Sequence, residues 1–178
     1  SRAVERVYRD HGFAEMDYEV IPNMLDDSFG IPERNERDTE RTRLLYVGYL
    51  RDSKGVRFLI DAMEHLPVTF ELTVVGDGPE KDALGKRAAE SSARDRIDLT
   101  GSVPYEQVTQ AYMNADVFVH PGVWPEPFGR TILEAMQVGL PVVATEIGGP
   151  AETVPQESLL CEPGNAVKLA KCIERADK

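Results

Sequence analysis

The stretch Trp124-Pro125-Glu126-Pro127-Phe128-Gly129-Arg130-Thr131-Ile132-Leu133-Glu134 sets two carboxylates on either side of a helix start. Pro127 restricts Glu126 to extended backbone, so the helix must begin after it. Phe128-Gly129 then opens the helix and leaves the N–H groups of residues 129–131 without intrahelical acceptors, a setting for an anion. A carboxylate accepts two hydrogen bonds at once, which suits adjacent hydroxyls on a sugar ring. Glu126 in the loop and Glu134 one to two turns inside the helix are two such acceptors. A plainer reading stands beside this one. Arg130 and Glu134 are spaced i,i+4 and make an ordinary helix pair of about 0.3–0.5 kcal/mol. Glu126 is then a favourable charge near a helix N-terminus, worth about 0.3–1 kcal/mol. Two features weaken the plainer reading: Arg before Glu is the poorer order, and a cation in the first turn opposes the helix dipole.

A second candidate is Tyr46-Val47-Gly48-Tyr49-Leu50-Arg51-Asp52-Ser53-Lys54-Gly55, a strand, a glycine turn, two cations and a helix start. Glycine lets backbone N–H groups approach an oxyanion, the helix N-terminus adds partial positive charge, and Lys54 or Arg51 completes the neutralisation. The alternative is a connecting loop with solvated charges in which Arg51 and Asp52 pair with each other. The glycines are seven apart, so the dinucleotide fingerprint GxGxxG fails, and there is no GK[ST] of a Walker loop.

These residues need a scaffold, and the pattern after residue 42 supplies one. Short apolar, β-rich runs fall at Leu44–Tyr49, Phe70–Val75, Ile97–Thr100, Val117–His120, Val142–Thr145 and Leu159–Cys161. Helical patterns lie between most of them, at 56–65, 79–94, 105–114, 129–138 and 165–175. In the fourth, Ile132, Leu133, Ala135 and Met136 share a face. Strands alternating with helices predict a Rossmann-like α/β domain, a parallel sheet with helices on both faces. Ligands of such sheets bind beyond the carboxyl ends of the strands, where Gly48, Gly76-Asp77-Gly78-Pro79, Pro121-Gly122 and Gly148-Gly149-Pro150 lie. Upstream, residues 2–10 predict a short helix and Tyr18 to Ile21 a strand. Residues 23–42 are polar, Pro-marked and charge-alternating, the signature of an exposed linker. Residues 1–42 thus read as the tail of a preceding unit with a linker, and 43–178 as the binding domain. The chain starts without Met and stops right after a helical pattern, which reads as a piece of a longer protein.

The 178 residues carry a formal charge of −11, with 42% hydrophobic and 29% charged residues. That composition predicts a globular domain and excludes a surface built to condense on nucleic acid or anionic lipid. Arg outnumbers Lys 14 to 6, so the cations suit a bidentate grip on oxyanions. Cys161 and Cys172 lack CxxC spacing and read as reduced thiols of a cytoplasmic protein, not as a metal site. His11, His65 and His120 are scattered, and no Asp-x-Asp is present to hold a metal. No metal and no cofactor are expected.

The E-x7-E of Glu126 and Glu134, inside Glu126-Pro127-Phe128-Gly129 and Leu133-Glu134-Ala135-Met136, resembles the retaining glycosyltransferases of family 4, formerly group 1, which have the two-domain GT-B fold. Further pieces follow in the family's order: Ile21-Pro22-Asn23, Val47-Gly48 with Lys54-Gly55, Val75-Gly76-Asp77-Gly78-Pro79, Leu99-Thr100-Gly101-Ser102-Val103, Ala115-Asp116-Val117-Phe118-Val119-His120-Pro121 and Gly148-Gly149-Pro150-Ala151-Glu152. The resemblance implies the C-terminal, donor-binding domain of a GT-B enzyme, holding a UDP-, GDP- or ADP-sugar. It implies that Gly48, Arg51 and Lys54 meet the diphosphate, that Glu134 binds the ribose and Glu126 the donor sugar, and that backbone from Phe128 through Gly129 and Arg130 to Thr131 holds sugar and phosphate. Backbone near Ser102 and Val103 would meet the base. Glu126, Lys54 and Arg51 are the residues expected to act in catalysis. The implied partner is an N-terminal acceptor domain of the same polypeptide, with peripheral membrane contact through that domain at the cytoplasmic face. The chain departs from the family at Tyr49, where an Arg that touches phosphate is usual, and at Asn23-Met24-Leu25-Asp26 in place of Asn-Gly-Val-Asp. Other readings are a non-catalytic nucleotide-sugar module, a GT-B phosphorylase or epimerase, and, least supported, a nicotinamide dehydrogenase.

Overall fold

A computed structural model describes residues 1–21 and 40–177. The linker expectation falls largely outside those residues. The sheet has six parallel strands in the order β3-β2-β1-β4-β5-β6, with β1 Thr42–Val47, β2 Phe70–Val75, β3 Ile97–Gly101, β4 Val117–His120, β5 Val142–Thr145 and β6 Leu160–Cys161. The helices are α1 Arg2–Tyr8, α2 Val56–Ala62, α3 Lys81–Glu90, α4 Tyr105–Asn114, α5 Arg130–Gln137, α6 Pro150–Thr153 and α7 Ala166–Ala176. From β1 the chain winds outward through β2 and β3, then returns across them to β4 and winds the other way. Right-handed crossovers therefore place α2 and α3 on one face and α4 and α5 on the other. The reversal between β1 and β4 is the topological switch point, where the ends of neighbouring strands diverge and leave a crevice.

The central strands are buried on both faces, so they read as continuous apolar runs rather than alternating ones. Leu44, Leu45, Tyr46, Val117, Phe118, Val119, Val143 and Ala144 are essentially sealed from solvent, with Leu59, Ile60, Ile132, Ala135 and Ile173 packed against them. At the amino end of the sheet Arg43 bonds Asp116 through its backbone N–H at 2.9 Å and its guanidinium at 2.9 and 3.1 Å, pinning β1 to β4.

Several expected boundaries shift. β1 begins at Thr42 and ends at Val47, two residues earlier at each end than the apolar run. α3 is shorter than 79–94: Ser91 is extended (ψ 146°), and its hydroxyl bonds Glu64 Oε1 at 2.9 Å. α6 is an additional short helix, opened by Pro150 at its first position, where proline needs no N–H acceptor. Tyr18 to Ile21 form no strand among the described residues. Tyr18 instead packs on Tyr8 and Arg9, and its hydroxyl donates to Phe13 O at 2.8 Å. Both cysteines are free and buried, and burial beside Cys172 pushes the Cys161 thiol up to about 12. No helix among the described residues is long and apolar enough to cross a membrane.

Candidate functional site

The loop after β1 and the loop after β4 meet at the switch point. Gly55 ends the first loop with φ +68°, and a Cβ there would lie 2.0 Å from the carbonyl oxygen of Pro121. Only glycine permits both the backbone conformation and the approach. Val123 N–H donates to Ser53 O at 3.0 Å, and Thr145 Oγ1 donates to Gly122 O at 2.6 Å. On the other side Gly149 N–H donates to Glu126 O at 2.7 Å, and a Cβ on Gly149 would strike the Pro127 carbonyl at 2.1 Å. The backbone around Glu126 is thus held between the β1 loop and the β5 loop.

That arrangement brings Lys54 and Glu126 together. Lys54 Nζ lies 2.7 Å from Glu126 Oε2, and His120 Nε2 lies 3.1 Å from the same oxygen. The hydrogen bond from His120, opposed by burial and reinforced by Lys54, holds the Glu126 carboxyl down at about 2, so it is ionised at neutral pH. The side chains of Lys54 and Glu126 are 24% and 26% exposed, open enough for a ligand to reach.

The second carboxylate is more enclosed. Glu134 is 8% exposed. Tyr112 Oη donates to its Oε2 at 3.0 Å from α4, and Arg130 Nε approaches Oε1 at 3.3 Å. Burial pushes its pKa above the usual carboxylate range, against the lowering effects of Tyr112 and Arg130. The i,i+4 pair with Arg130 therefore forms, but only its Arg130 end is a surface group. Gly129 caps α5 with φ +81°, and Ile132 N–H is bonded to Gly129 O at 2.9 Å. The preceding N–H groups, of Arg130 and Thr131, are the ones that an α-helix leaves without internal acceptors.

Gly48, Tyr49, Ser102 and Val103 line one cleft of about 510 Å³ with Gly76, Asp77 and Gly78. A Cβ on Gly48 would sit 2.8 Å from the Tyr46 hydroxyl, so a larger residue there would make the Tyr46 ring shift. Its N–H, expected to face an oxyanion, instead donates to Val75 O at 3.0 Å and continues the sheet ladder. Gly78 and Leu50 N–H groups are likewise occupied, the first by Asp77 Oδ1 at 2.7 Å and the second by Asp77 O at 2.9 Å. The Gly48 amide is therefore occupied within the fold, and Lys54 is the cation of this loop that faces Glu126.

Arg51 stands apart from the Lys54 cluster, in a shallow depression with Asp52, Arg57 and Glu80. It does not pair with Asp52, which Arg57 engages instead. His120 and Tyr112 are the site residues that spacing did not reveal. A polar residue ending the otherwise apolar Val117–His120 strand, just ahead of Pro121-Gly122, is the signal that could have found the first. Among the described residues no group of three His, Cys, Asp or Glu side chains could hold a metal.

Residues 27–177 match the sequence model of the family Glycosyl transferases group 1, and the chain belongs to that family. It is 31% identical to 2-deoxystreptamine glucosyltransferase of Streptomyces kanamyceticus, over 92% of this chain and 46% of the relative. Among solved structures, sucrose-phosphate synthase of Thermosynechococcus elongatus superposes with a TM-score of 0.83 at 28% identity, over 98% of this chain and 47% of that one. HepE of Anabaena, crystallised in complex with UDP and glucose, gives a TM-score of 0.71 at 31% identity, over 76% of this chain and 38% of that one. The fold is the Rossmann-like domain of GT-B glycosyltransferases. The chain spans less than half the length of these relatives.

Proposed function

We propose that this chain is the donor-binding part of a retaining glycosyltransferase that holds a nucleotide diphosphate sugar. The observation that carries the reading is the Lys54–Glu126 pair at 2.7 Å across the switch point, a cation and a hydrogen-bond-accepting carboxylate fixed side by side. In this reading the nucleoside occupies the cleft of Gly48, Ser102 and Val103, with Glu134 accepting from the ribose. Lys54 and the α5 N-terminus at Arg130 and Thr131 face the diphosphate. Glu126 accepts from the sugar, and the backbone of Phe128 and Gly129 completes that wall. Arg51 serves at most as an outlying cation for the diphosphate. Catalysis on this side consists of stabilising the departing diphosphate while positive charge builds at the sugar carbon, with the cation and helix amides already oriented. The acceptor would be bound by an N-terminal domain of the same polypeptide, for which residues 1–42 supply the tail and linker. Such an enzyme works at the cytoplasmic face with no resident cofactor or metal. HepE supports UDP as the first base to test, since it was crystallised with UDP and glucose.

Calorimetric titration with UDP, GDP and ADP and their glucose forms tests the reading. Saturable binding of one nucleotide, lost in Lys54→Ala and Glu134→Ala, is expected. Absence of binding to every nucleotide, in this chain and in the full-length protein, would overturn it. A second reading, a nucleotide-sugar module without turnover, is favoured by Tyr49, a 58% exposed ring at the cleft where relatives of the resembling family place a phosphate-touching Arg. Glycosyl transfer to an acceptor by the full-length protein decides between the two.

A further inference from the structure

Glu126 is held asymmetrically. Lys54 and His120 both reach Oε2, whereas no described donor reaches Oε1. The two anchors differ in kind. Lys54 is a flexible side chain from another loop, and an ammonium accepts many orientations of its partner. His120 is a rigid ring with its side chain 4% exposed, fixed at the end of β4. The direction of the carboxylate is therefore set by His120.

The protonation of the ring follows from its other nitrogen. His120 Nδ1 is buried with no hydrogen-bond partner. An imidazolium would bury an N–H there without an acceptor, an arrangement proteins avoid. The Nδ1–H tautomer would do the same, and would also set the bare Nε2 lone pair against Oε2 at 3.1 Å. The Nε2–H tautomer leaves only a bare acceptor at the buried Nδ1 and gives Glu126 a donor.

We propose that His120 is a positioning residue: its neutral ring donates from Nε2–H to one oxygen of Glu126, fixes that carboxylate beside Lys54, and turns the other oxygen outward to accept a hydroxyl of the sugar in a nucleotide sugar. The inference rests on the donor-site reading above for its ligand, but not for its hydrogen bond. Because His120 acts only through Glu126, its loss weakens recognition of the sugar and spares recognition of the nucleotide.

Two measurements test it on the full chain. Long-range proton–nitrogen NMR at neutral pH is expected to show His120 as the Nε2–H tautomer, with that resonance moved by Glu126→Gln. An Nδ1–H tautomer, an imidazolium, or no response to Glu126→Gln overturns the proposal, whether or not any nucleotide binds. Titration with UDP and UDP-glucose then reads the consequence. His120→Phe is expected to weaken UDP-glucose about tenfold or more, the loss of one charge-assisted hydrogen bond, while UDP changes by about twofold at most. His120→Gln, whose amide nitrogen can restore a donor near Nε2, is expected to regain most of the loss. An equal loss for both ligands, or no rescue by Gln, overturns the positioning role. Failure of this chain and of the full-length protein to bind any of the UDP, GDP and ADP ligands would sink the donor-site reading, and the NMR result would still decide the hydrogen bond.

Discussion

Lys54 Nζ and Glu126 Oε2 lie 2.7 Å apart, although one belongs to the loop after β1 and the other to the loop after β4. The pair spans the crevice that the reversal of strand order opens, and under the proposed function it sets a cation for phosphate beside a carboxylate for hydroxyls. Neutralising Lys54 with Lys54→Met is expected to weaken UDP binding about 10- to 100-fold, since a hydrogen bond to a charged group contributes about 1.5–3 kcal/mol. Isothermal titration checks it, and an unchanged dissociation constant would remove Lys54 from the phosphate site.

The same pair has a signature in acid. Glu126 titrates at about 2 in the fold against an ordinary value of 4.5. A depressed carboxylate adds stability that is fully present above its unfolded value and is lost as pH falls through its folded value. Between about pH 5 and pH 2 the urea midpoint of the wild type should therefore fall more steeply than that of Glu126→Gln. Parallel slopes would mean that the His120 and Lys54 bonds do not hold the carboxylate in solution.

Glu134 carries the opposite sign. Burial raises its pKa, so the folded state favours the neutral acid, and ionising it as pH rises through the raised value costs stability. If its carboxylate accepts ribose hydroxyls, nucleotide affinity falls on acidification at a pH above the usual carboxylate range. Tyr112→Phe removes a hydrogen bond that favours the ionised form. The variant should lose affinity at a higher pH than the wild type. Glu134→Ala should cost about 1.5–3 kcal/mol of nucleotide affinity at neutral pH. A pH profile unmoved by Tyr112→Phe would separate Glu134 from binding.

The sheet was legible because its central strands are short and apolar and are separated by helical patterns, and the turns at Gly48 and Gly148-Gly149 marked its carboxyl edge. Glu126 and Glu134 stood out by spacing around a proline that forces the helix start. What escaped depends on contacts that spacing does not encode. Tyr112 reaches Glu134 from a different helix, 22 residues upstream in the chain. His120 gains its role only because β4 delivers it beneath the loop that carries Glu126. The bond from Gly48 N–H to Val75 O escaped for a related reason: the ladder reaches one residue past β1, and composition does not say which amides it occupies.

Arg51 and Lys54 looked equivalent as cations near a glycine turn, and the structure separates them. Lys54 faces Glu126, whereas Arg51 shares a depression with Asp52, Arg57 and Glu80. Arg51→Ala is therefore expected to change UDP affinity by about threefold at most, in the range of a screened surface charge. Titration of Arg51→Ala beside Lys54→Met gives the comparison. Equal losses would show that the loop rearranges to bring Arg51 to the phosphate.

Gly55 and Gly85 make the last contrast, one between a glycine the site needs and one it does not. Gly55 combines φ +68° with a Cβ position 2.0 Å from the Pro121 carbonyl oxygen, so alanine there must push the β1 loop from the β4 loop. Left-handed backbone alone costs a non-glycine residue about 1–2 kcal/mol, and the steric overlap adds to it. Gly55→Ala is expected to lower stability by more than about 2 kcal/mol in urea denaturation and to weaken nucleotide binding with it. Gly85 lies inside α3 with nothing within 4 Å of its Cβ position. Glycine in a helix interior costs about 0.5–1 kcal/mol relative to alanine, so Gly85→Ala should raise stability by that amount and leave binding unchanged. Stabilisation by Gly55→Ala would mean that the two loops do not meet as described, and the pairing of Lys54 with Glu126 would lose its scaffold.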